Sequence, residues 1–124
     1  MNVPDGYKLT SNGLRHASWP GLEAEPDLHQ VFAAKVYLAE SYEPAKTKRL
    51  GSYGLKHIVQ SHAKQYISNG ALIQAAIELG LKITPAHPHD KNQINAFIYV
   101  KLTKLGRARY RAIFKKASCN AKRA

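Results

Sequence analysis

The feature that most constrains the fold is a pair of amphipathic patterns in residues 51–81, joined by the short polar connection 63–67. Each pattern begins at a serine, Ser52 or Ser68, whose side-chain oxygen can accept a hydrogen bond from the first turn of a helix. Gly80 lies where the second helix is expected to end in a left-handed residue. Because the connection is short, we expect two neighbouring helices whose apolar stripes face each other. The stripes are Leu55, Ile58, Val59 and His62 in the first helix and Leu72, Ile73, Ala76 and Ile77 in the second.

Two neighbouring helices of this kind have two alternative explanations. They are either a helix-turn-helix, whose second member enters a DNA groove, or an ordinary helical hairpin that only buries its apolar side. Helical hairpins are the commoner of the two, so assignment as a helix-turn-helix requires support from other parts of the sequence.

The charge of the chain is large and unevenly distributed. Nineteen Lys and Arg against eight Asp and Glu give a net charge of +11. Residues 91–124 contain ten of the cations and no acid, whereas residues 1–43 contain six acids and three cations. A field that grows toward one end of the chain favours a polyanion as the partner, and nucleic acid is the leading candidate. A solvated basic tail and the binding of an acidic protein surface are the alternatives.

Length and composition predict one domain, residues 1–124, in a reducing compartment. A chain of 124 residues is long enough for one core, and no apolar run approaches the ~20 residues needed to cross a bilayer. The first ten residues lack the basic start and apolar centre of a secretory signal. The single cysteine, Cys119, has no partner for an internal disulfide. We therefore expect a soluble, cytoplasmic protein with no membrane contact.

Two elements and a basic linker are predicted before the helix pair. Residues 1–26 are rich in Gly and Pro, which predicts an irregular segment of turns and extended pieces. Residues 27–43 predict a helix that is capped by Asp27 and ended by Pro44. Residues 45–51 then form a linker with three cations. The predicted inner side of the helix consists of Leu28, Val31, Phe32, Val36 and Ala39.

A β-hairpin and a last helix are predicted after the pair. A strand at 82–84, a polar loop at 85–93 and a strand at 94–103 are followed by a basic helix at 104–117 and a frayed tail at 118–124. The second strand alternates Ile94, Ala96, Ile98 and Val100 with Asn95, Phe97, Tyr99 and Lys101. The last helix has Leu105, Ala108, Ala112 and Ile113 as its predicted inner stripe.

The two aromatic residues of the second strand have two alternative roles. Phe97 and Tyr99 share the face opposite the alternating aliphatic residues. We expect them to pack in the core. The alternative is a surface on which unpaired bases stack, since aromatic rings on an open sheet with cations nearby bind single strands or RNA.

The segment YVKLTKLGRARY, residues 99–110, resembles the stretch that leaves the wing in small winged-helix regulators. There a strand ends in Leu-Thr and a helix opens with Gly-Arg, and the order helix, helix, hairpin, helix over residues 51–117 is similar to that of the same proteins. The chain as a whole also resembles small proteins carried by phages or plasmids. The fold class that the resemblance implies is α+β, mainly α, with a winged-helix-like helix pair, a β-hairpin and a closing basic helix.

The winged-helix resemblance also implies which residues meet DNA. The helix after Ser68 is then the recognition helix, and Ser68, Asn69 and Gln74 are its candidate contacts. That helix contains no cation, which disfavours sequence-specific readout. Phosphate contacts are expected from Lys46, Lys48 and Arg49 before the pair, Lys91 at the wing tip, and Lys101 and Lys104 where the wing returns. In a rival arrangement, the closing helix binds through Arg107, Arg109 and Arg111.

The histidines do not show the spacing of a metal site. His57 and His62 are five residues apart and lie on different sides of a helix, whereas helical zinc pairs are four apart. His87 and His89, with Asp90 nearby, lie in a proline-bearing loop that we interpret as solvent-exposed. We therefore expect no metal and no cofactor.

The chain also lacks the patterns that indicate catalysis. It has no Gly-x-Ser-x-Gly, no glycine-rich phosphate loop and no carboxylate pair at acid–base spacing. We therefore expect a non-enzymatic module that binds nucleic acid, most simply duplex DNA, and is a candidate regulator from a mobile element. The alternative is a basic interaction module that docks on an acidic protein surface, such as an inhibitor of a host nucleic-acid-handling or defence complex. The sequence leaves the oligomeric state open.

Overall fold

The structure is a computed structural model that describes residues 3–90 and 92–123, with side chains up to Lys115. The described residues form an α+β fold of four helices and small antiparallel sheets. The order of the strands in the three sheets is β1-β2, β3-β7 and β4-β6-β5. In chain order the elements are β1 (Tyr7–Thr10), β2 (Gly13–His16), α1 (Leu28–Ser41), β3 (Tyr42–Pro44), β4 (Leu50–Gly51), α2 (Ser52–Ala63), α3 (Asn69–Glu78), β5 (Ile83–Pro85), β6 (Ala96–Ile98), β7 (Val100–Leu102) and α4 (Lys104–Arg123).

Helix α3 lies in the centre of the fold and is covered on nearly every side. The predicted cap is confirmed, because Ser68 Oγ accepts a hydrogen bond of 3.1 Å from the backbone N–H of Ala71. The prediction that one apolar stripe faces α2 is half right: Leu72 and Ala76 join the core formed with α1 and α2. Ile73 and Ile77 were also predicted to face α2. They lie instead on the opposite side of α3, where they pack with Leu14 of β2 and Ala96 of β6. Eight of its ten residues are buried: Asn69, Gly70, Ala71, Leu72, Ile73, Ala75, Ala76 and Ile77.

An N-terminal hairpin covers that second side of α3. Residues 1–26 were predicted to be an irregular segment of turns and extended pieces. Two of the extended pieces, β1 and β2, pair in antiparallel register, which was not predicted. Leu14 of the hairpin is buried with Ile73 and Ile77. The N–H of Gly70 donates to the carbonyl of Ser11 at 3.0 Å. A Cβ at position 70 would overlap the carbonyl oxygen of Thr10, so this close approach requires glycine.

A carboxylate holds the hairpin to the segment that follows it. Glu23 accepts hydrogen bonds from Arg15 Nε at 2.7 Å, from Thr10 Oγ1 at 3.0 Å and from Asn12 Nδ2. The hydrogen bond from Arg15 is the main reason that the pKa of Glu23 is lowered to about 2. The ionised form of Glu23 is therefore part of the folded state.

Helix α1 starts at the predicted cap, but its buried side differs from the predicted one. Asp27 accepts from the N–H groups of His29 and Gln30. The helix ends at Ser41, and residues 42–44 form β3, although residues 42 and 43 were predicted to be the last turn of the helix. Leu28 and Phe32 were predicted to face inward and are 73% and 70% exposed. The apolar residues lie on both sides of this helix, and contact with α3 selects the side of Val31, Ala34, Tyr37 and Leu38.

Ser52 does not cap α2 as predicted. The N-cap is Gly51, which makes no side-chain hydrogen bond. Ser52 is buried, and its Oγ accepts from the N–H of Ala96 at 3.0 Å. The serine therefore ties α2 to β6.

The strand predicted at 94–103 is divided into two. Its alternation is confirmed from Ala96 onward, because Ala96, Ile98 and Val100 are all buried, whereas Ile94 lies before β6 and is half-buried. Residues on either side of Tyr99 pair with different partners: β6 pairs with β4 and β5, whereas β7 pairs with β3. The described residues between β5 and β6, 86–90 and 92–95, belong to no helix or strand.

Helix α4 runs to Arg123, beyond its predicted end at 117, so the backbone of 118–123 is helical instead of frayed. The predicted inner stripe is also mostly wrong, because Leu105, Ala108 and Ala112 are exposed. The helix instead contacts α1 at Gly106, where a Cβ would overlap the carbonyl oxygen of Ser41. The close approach of Gly106 to Ser41 therefore determines which side of α4 faces α1.

Substitution by alanine should have opposite effects on stability at Gly70 of the buried α3 and at Gly54 of α2, although both glycines lie in the first turn of a helix. Gly70→Ala should lower the free energy of unfolding by about 1–3 kcal/mol, because the new methyl group displaces the hairpin. Gly54→Ala is the matched control. Apart from the adjoining backbone of its own helix, no atom lies within 4 Å of its missing Cβ, so the substitution should raise stability by about 0.5–1 kcal/mol. Urea unfolding of both variants tests this, and equal effects would contradict the close packing at Gly70.

The lowered pKa of Glu23 predicts an acid-dependent loss of stability. The folded value of about 2 is below the ordinary 4.5, so the contribution of Glu23 is complete above pH 4.5 and is lost as the pH falls toward about 2. Glu23→Gln should cost about 1–3 kcal/mol at neutral pH and should reduce the fall in stability over that range. Parallel pH profiles for the variant and the wild type would contradict this role.

Candidate nucleic-acid interface

Cations from three separate segments meet at one groove of about 570 Å³. Lys48 and Arg49 come from the loop before β4, Lys101 from β7 and Arg107 from α4. The pairing of β3 with β7 brings the strand that leads into α4 alongside the start of β3. We call this the basic groove. Its other lining residues are Glu43, Leu50, Val100 and Leu102.

The acid in the basic groove does not neutralise it. Glu43 and Lys101 are opposite each other on β3 and β7, with 3.6 Å between the carboxylate and the ammonium. Both side chains are about half exposed, and such a pair contributes little to stability. Lys48, Arg49 and Arg107 remain as a surplus of positive charge.

The basic groove continues along the outer side of α4. Lys104, Arg107, Arg111 and Lys115 are all exposed, and their spacing of three or four residues puts them on one side of the helix. The opposite side of α4 contains the buried Gly106. We call the groove cations and this stripe together the basic face, which comprises Lys48, Arg49, Lys101, Lys104, Arg107, Arg111 and Lys115.

Arg109 was a candidate contact on the closing helix, and the structure gives it a different role. Its guanidinium donates to Ser41 Oγ at 2.8 Å and to a Glu40 carboxylate oxygen at 3.0 Å. It also lies 5.4 Å from the centre of the Tyr37 ring, and its side chain is 20% exposed. Arg109 therefore ties α4 to α1 and is not part of the basic face.

The candidates on α3 are also corrected, because the helix is not free to enter a groove. Ser68 is 7% exposed and caps the helix. Asn69 is 6% exposed, and its amide nitrogen lies within hydrogen-bond distance of the carbonyl oxygens of Asn12 and Ile94. Gln74 is half-buried and donates to Glu78. The pattern of residues 68–78 alone could not predict that the hairpin β1-β2 and α1 cover this helix, because both are distant from it in the chain.

Two candidates remain, Lys46 and Lys91. Lys46 is exposed in the loop between β3 and β4. Lys91, expected at the tip of the wing, lies outside the described residues.

A second cluster of cations and aromatic rings lies on the outer face of the sheet β4-β6-β5. The guanidinium carbon of Arg49 is 4.0 Å from the centre of the Phe97 ring, and the same group donates to the Tyr99 hydroxyl at 3.4 Å. Lys82 Nζ is 4.7 Å from the centre of the Tyr99 ring. The pKa of Tyr99 is lowered, mainly by the hydrogen bond from Thr84 and to a smaller extent by the one from Arg49.

This cluster corrects the expectation that Phe97 and Tyr99 pack in the core. Both are half-buried, whereas Ala96 and Ile98 take the inner face. The alternation of the strand was a sufficient signal for which residues share a face. It did not show that the face with the aromatic residues is the outer one.

Comparisons of this chain with protein-family models, with curated proteins and with solved structures found no match. Among the residues that the structure describes, no group of three or more His, Cys, Asp or Glu side chains is placed to hold a metal ion. In the same part of the chain, no helix has both the length and the apolar character needed to span a membrane.

Proposed function

We propose that this protein is a non-enzymatic module that holds nucleic acid, and most simply duplex DNA, by its phosphates along the basic face. The observation that carries this proposal is the convergence of cations from three chain segments on one groove. Of the described residues that line the groove, Glu43 is the one acid. A phosphate backbone fits such a strip, because each neutralised phosphate releases a counterion.

We further propose a winged-helix-like arrangement for residues 28–102. A winged helix has the order helix, strand, helix, helix, strand, strand. The same order is formed here by α1, β4, α2, α3, β5 and β6, with the short β3 as an additional strand between α1 and β4. The last of these strands lies between the other two, in the order β4-β6-β5, and residues 86–95 take the place of the wing loop. The resemblance of residues 99–110 to the segment that leaves a wing supports the same reading.

The proposed binding mode does not use α3 for base recognition. Its polar residues cap the helix, contact the hairpin or pair with each other. Contacts from the basic face are with phosphates, which position a protein without reading sequence. We therefore expect similar affinity for duplexes of different sequence at the same salt concentration.

A second candidate function is docking on an acidic protein surface, and an apolar cleft next to α4 favours it. The cleft measures about 570 Å³ and is lined by Leu55 and Ile58 of α2 and by Tyr110, Ile113 and Phe114 of α4. Tyr110 and Phe114 are 38% and 50% exposed. Aromatic anchors beside cations are typical of protein interfaces.

The salt dependence of binding tests the main proposal. A variant with Lys48→Ala, Arg107→Ala and Arg111→Ala should bind random-sequence duplex more weakly, and the slope of log affinity against log salt should fall in magnitude by about three units. The measurement is a titration of labelled duplex at several salt concentrations.

Lys64→Asn is the matched control for the loss of a cation. Lys64 is exposed, lies at the far end of α2 from the basic groove, and has a left-handed backbone that asparagine tolerates. This variant should keep the wild-type slope. An unchanged slope in the triple variant would contradict the basic face, and absence of duplex binding by the wild type at low salt would favour the acidic protein partner.

A further inference from the structure

The outer face of the sheet β4-β6-β5 carries two cross-strand rows of side chains. Gly51 and Thr84 are the direct partners of Phe97 on either side. One position further along, the register puts Arg49 and Lys82 on either side of Tyr99. Direct partners in a sheet point to the same face, so all six residues lie on the face opposite the buried core.

Gly51 leaves an open position beside the Phe97 ring. Apart from residues 50–52 themselves, no atom lies within 4 Å of the place that a Cβ would take at residue 51. Neighbouring strands are about 4.8 Å apart, and stacked rings need a separation of about 3.5 Å. The Arg49 guanidinium lies against the Phe97 ring, 4.0 Å from its centre. A planar base takes this place beside Phe97 when the guanidinium turns outward to a phosphate, and the missing side chain at residue 51 leaves room for the base.

We propose that this face binds single-stranded nucleic acid, with one base stacked beside Phe97 over Gly51. We call the six residues Arg49, Gly51, Lys82, Thr84, Phe97 and Tyr99 the stacking site. The two cations supply attraction for the backbone, and the two aromatic rings supply stacking surfaces for bases. The rows contain no acid, so the local charge is complementary to a phosphate chain.

The position of the stacking site indicates the form of the ligand. Arg49 belongs both to the stacking site and to the basic groove, so the two surfaces are continuous. Paired bases in a duplex present edges to a protein, whereas an unpaired base presents its ring face. The ligand is therefore a duplex with a single-stranded extension, and this statement rests on the proposed duplex binding by the basic face.

Filling the open position tests the site without removing any contact. Gly51→Val places a side chain beside Phe97, and the backbone there is extended, with φ −69° and ψ 140°, which valine adopts readily. Gly51 is the N-cap of α2, where valine is less favourable than glycine, so a small loss of stability is expected and blunt-duplex binding reports whether the fold is kept. We expect the affinity for the single-stranded extension to fall by about tenfold or more, with blunt-duplex affinity unchanged.

The probes are a blunt duplex, the same duplex with a single-stranded extension that contains 2-aminopurine, and the free single strand. Stacking on wild-type protein should quench the 2-aminopurine fluorescence, and both Gly51→Val and Phe97→Leu should abolish the quenching. Tyr53→Leu is the matched control, because Tyr53 is an exposed aromatic residue of α2 outside both surfaces. It should bind all three probes like the wild type.

The possible outcomes separate this inference from the proposed function. Equal affinity of the wild type for blunt and extended duplexes, without quenching, would overturn the stacking site and leave duplex binding intact. Quenching that survives Gly51→Val and Phe97→Leu would also overturn it, as would equal loss of blunt-duplex affinity in those variants. If the wild type quenches the free single strand but does not bind the blunt duplex, the stacking site stands and the duplex proposal fails. If it binds none of the probes, both fail.

Discussion

The composition of α3 is the constraint on which the rest of the structure depends. This helix is small or apolar on almost every side, so it is stable only when it is covered all round. Helices α1 and α2 cover one side, and the hairpin β1-β2 covers the other, with its turn in contact with Gly70. A helix enclosed in this way is part of the core. Surfaces available for binding are therefore made by the sheet, the loop before β4 and α4.

Four of the eight acids of the chain take part in contacts that hold the fold together, and this leaves the basic face in excess. Glu23 binds the hairpin through Arg15, and Glu40 ties α4 to α1 through Arg109. Asp27 caps α1, and Glu78 pairs with Lys35. The electrostatic field of the basic face thus follows from where the acids are placed as well as from the number of cations.

The sequence predicted features that depend on near neighbours. These include the helix pair, the caps at Asp27 and Ser68, the left-handed Gly80 and the inward alternation of β6 and β7. It did not predict which side of α1 is buried, because that is decided by contact with α3, which is distant in the chain. The hairpin and the role of Arg109 were missed for the same reason. Of the candidate contacts, Lys48, Arg49, Lys101 and Arg107 come together in the basic groove, whereas Ser68, Asn69 and Arg109 have structural roles.

The central claim is that nucleic acid is held by the basic face while α3 stays covered. Amide hydrogen exchange of the full chain, with and without random-sequence duplex at low salt, tests this claim most directly. Duplex should slow exchange in the loop before β4, in β7 and in the described part of α4, and should leave exchange in α3 and β1-β2 unchanged. Faster exchange in β1-β2 together with new protection on α3 would contradict the account, because it would mean that the hairpin lifts and α3 contacts the DNA.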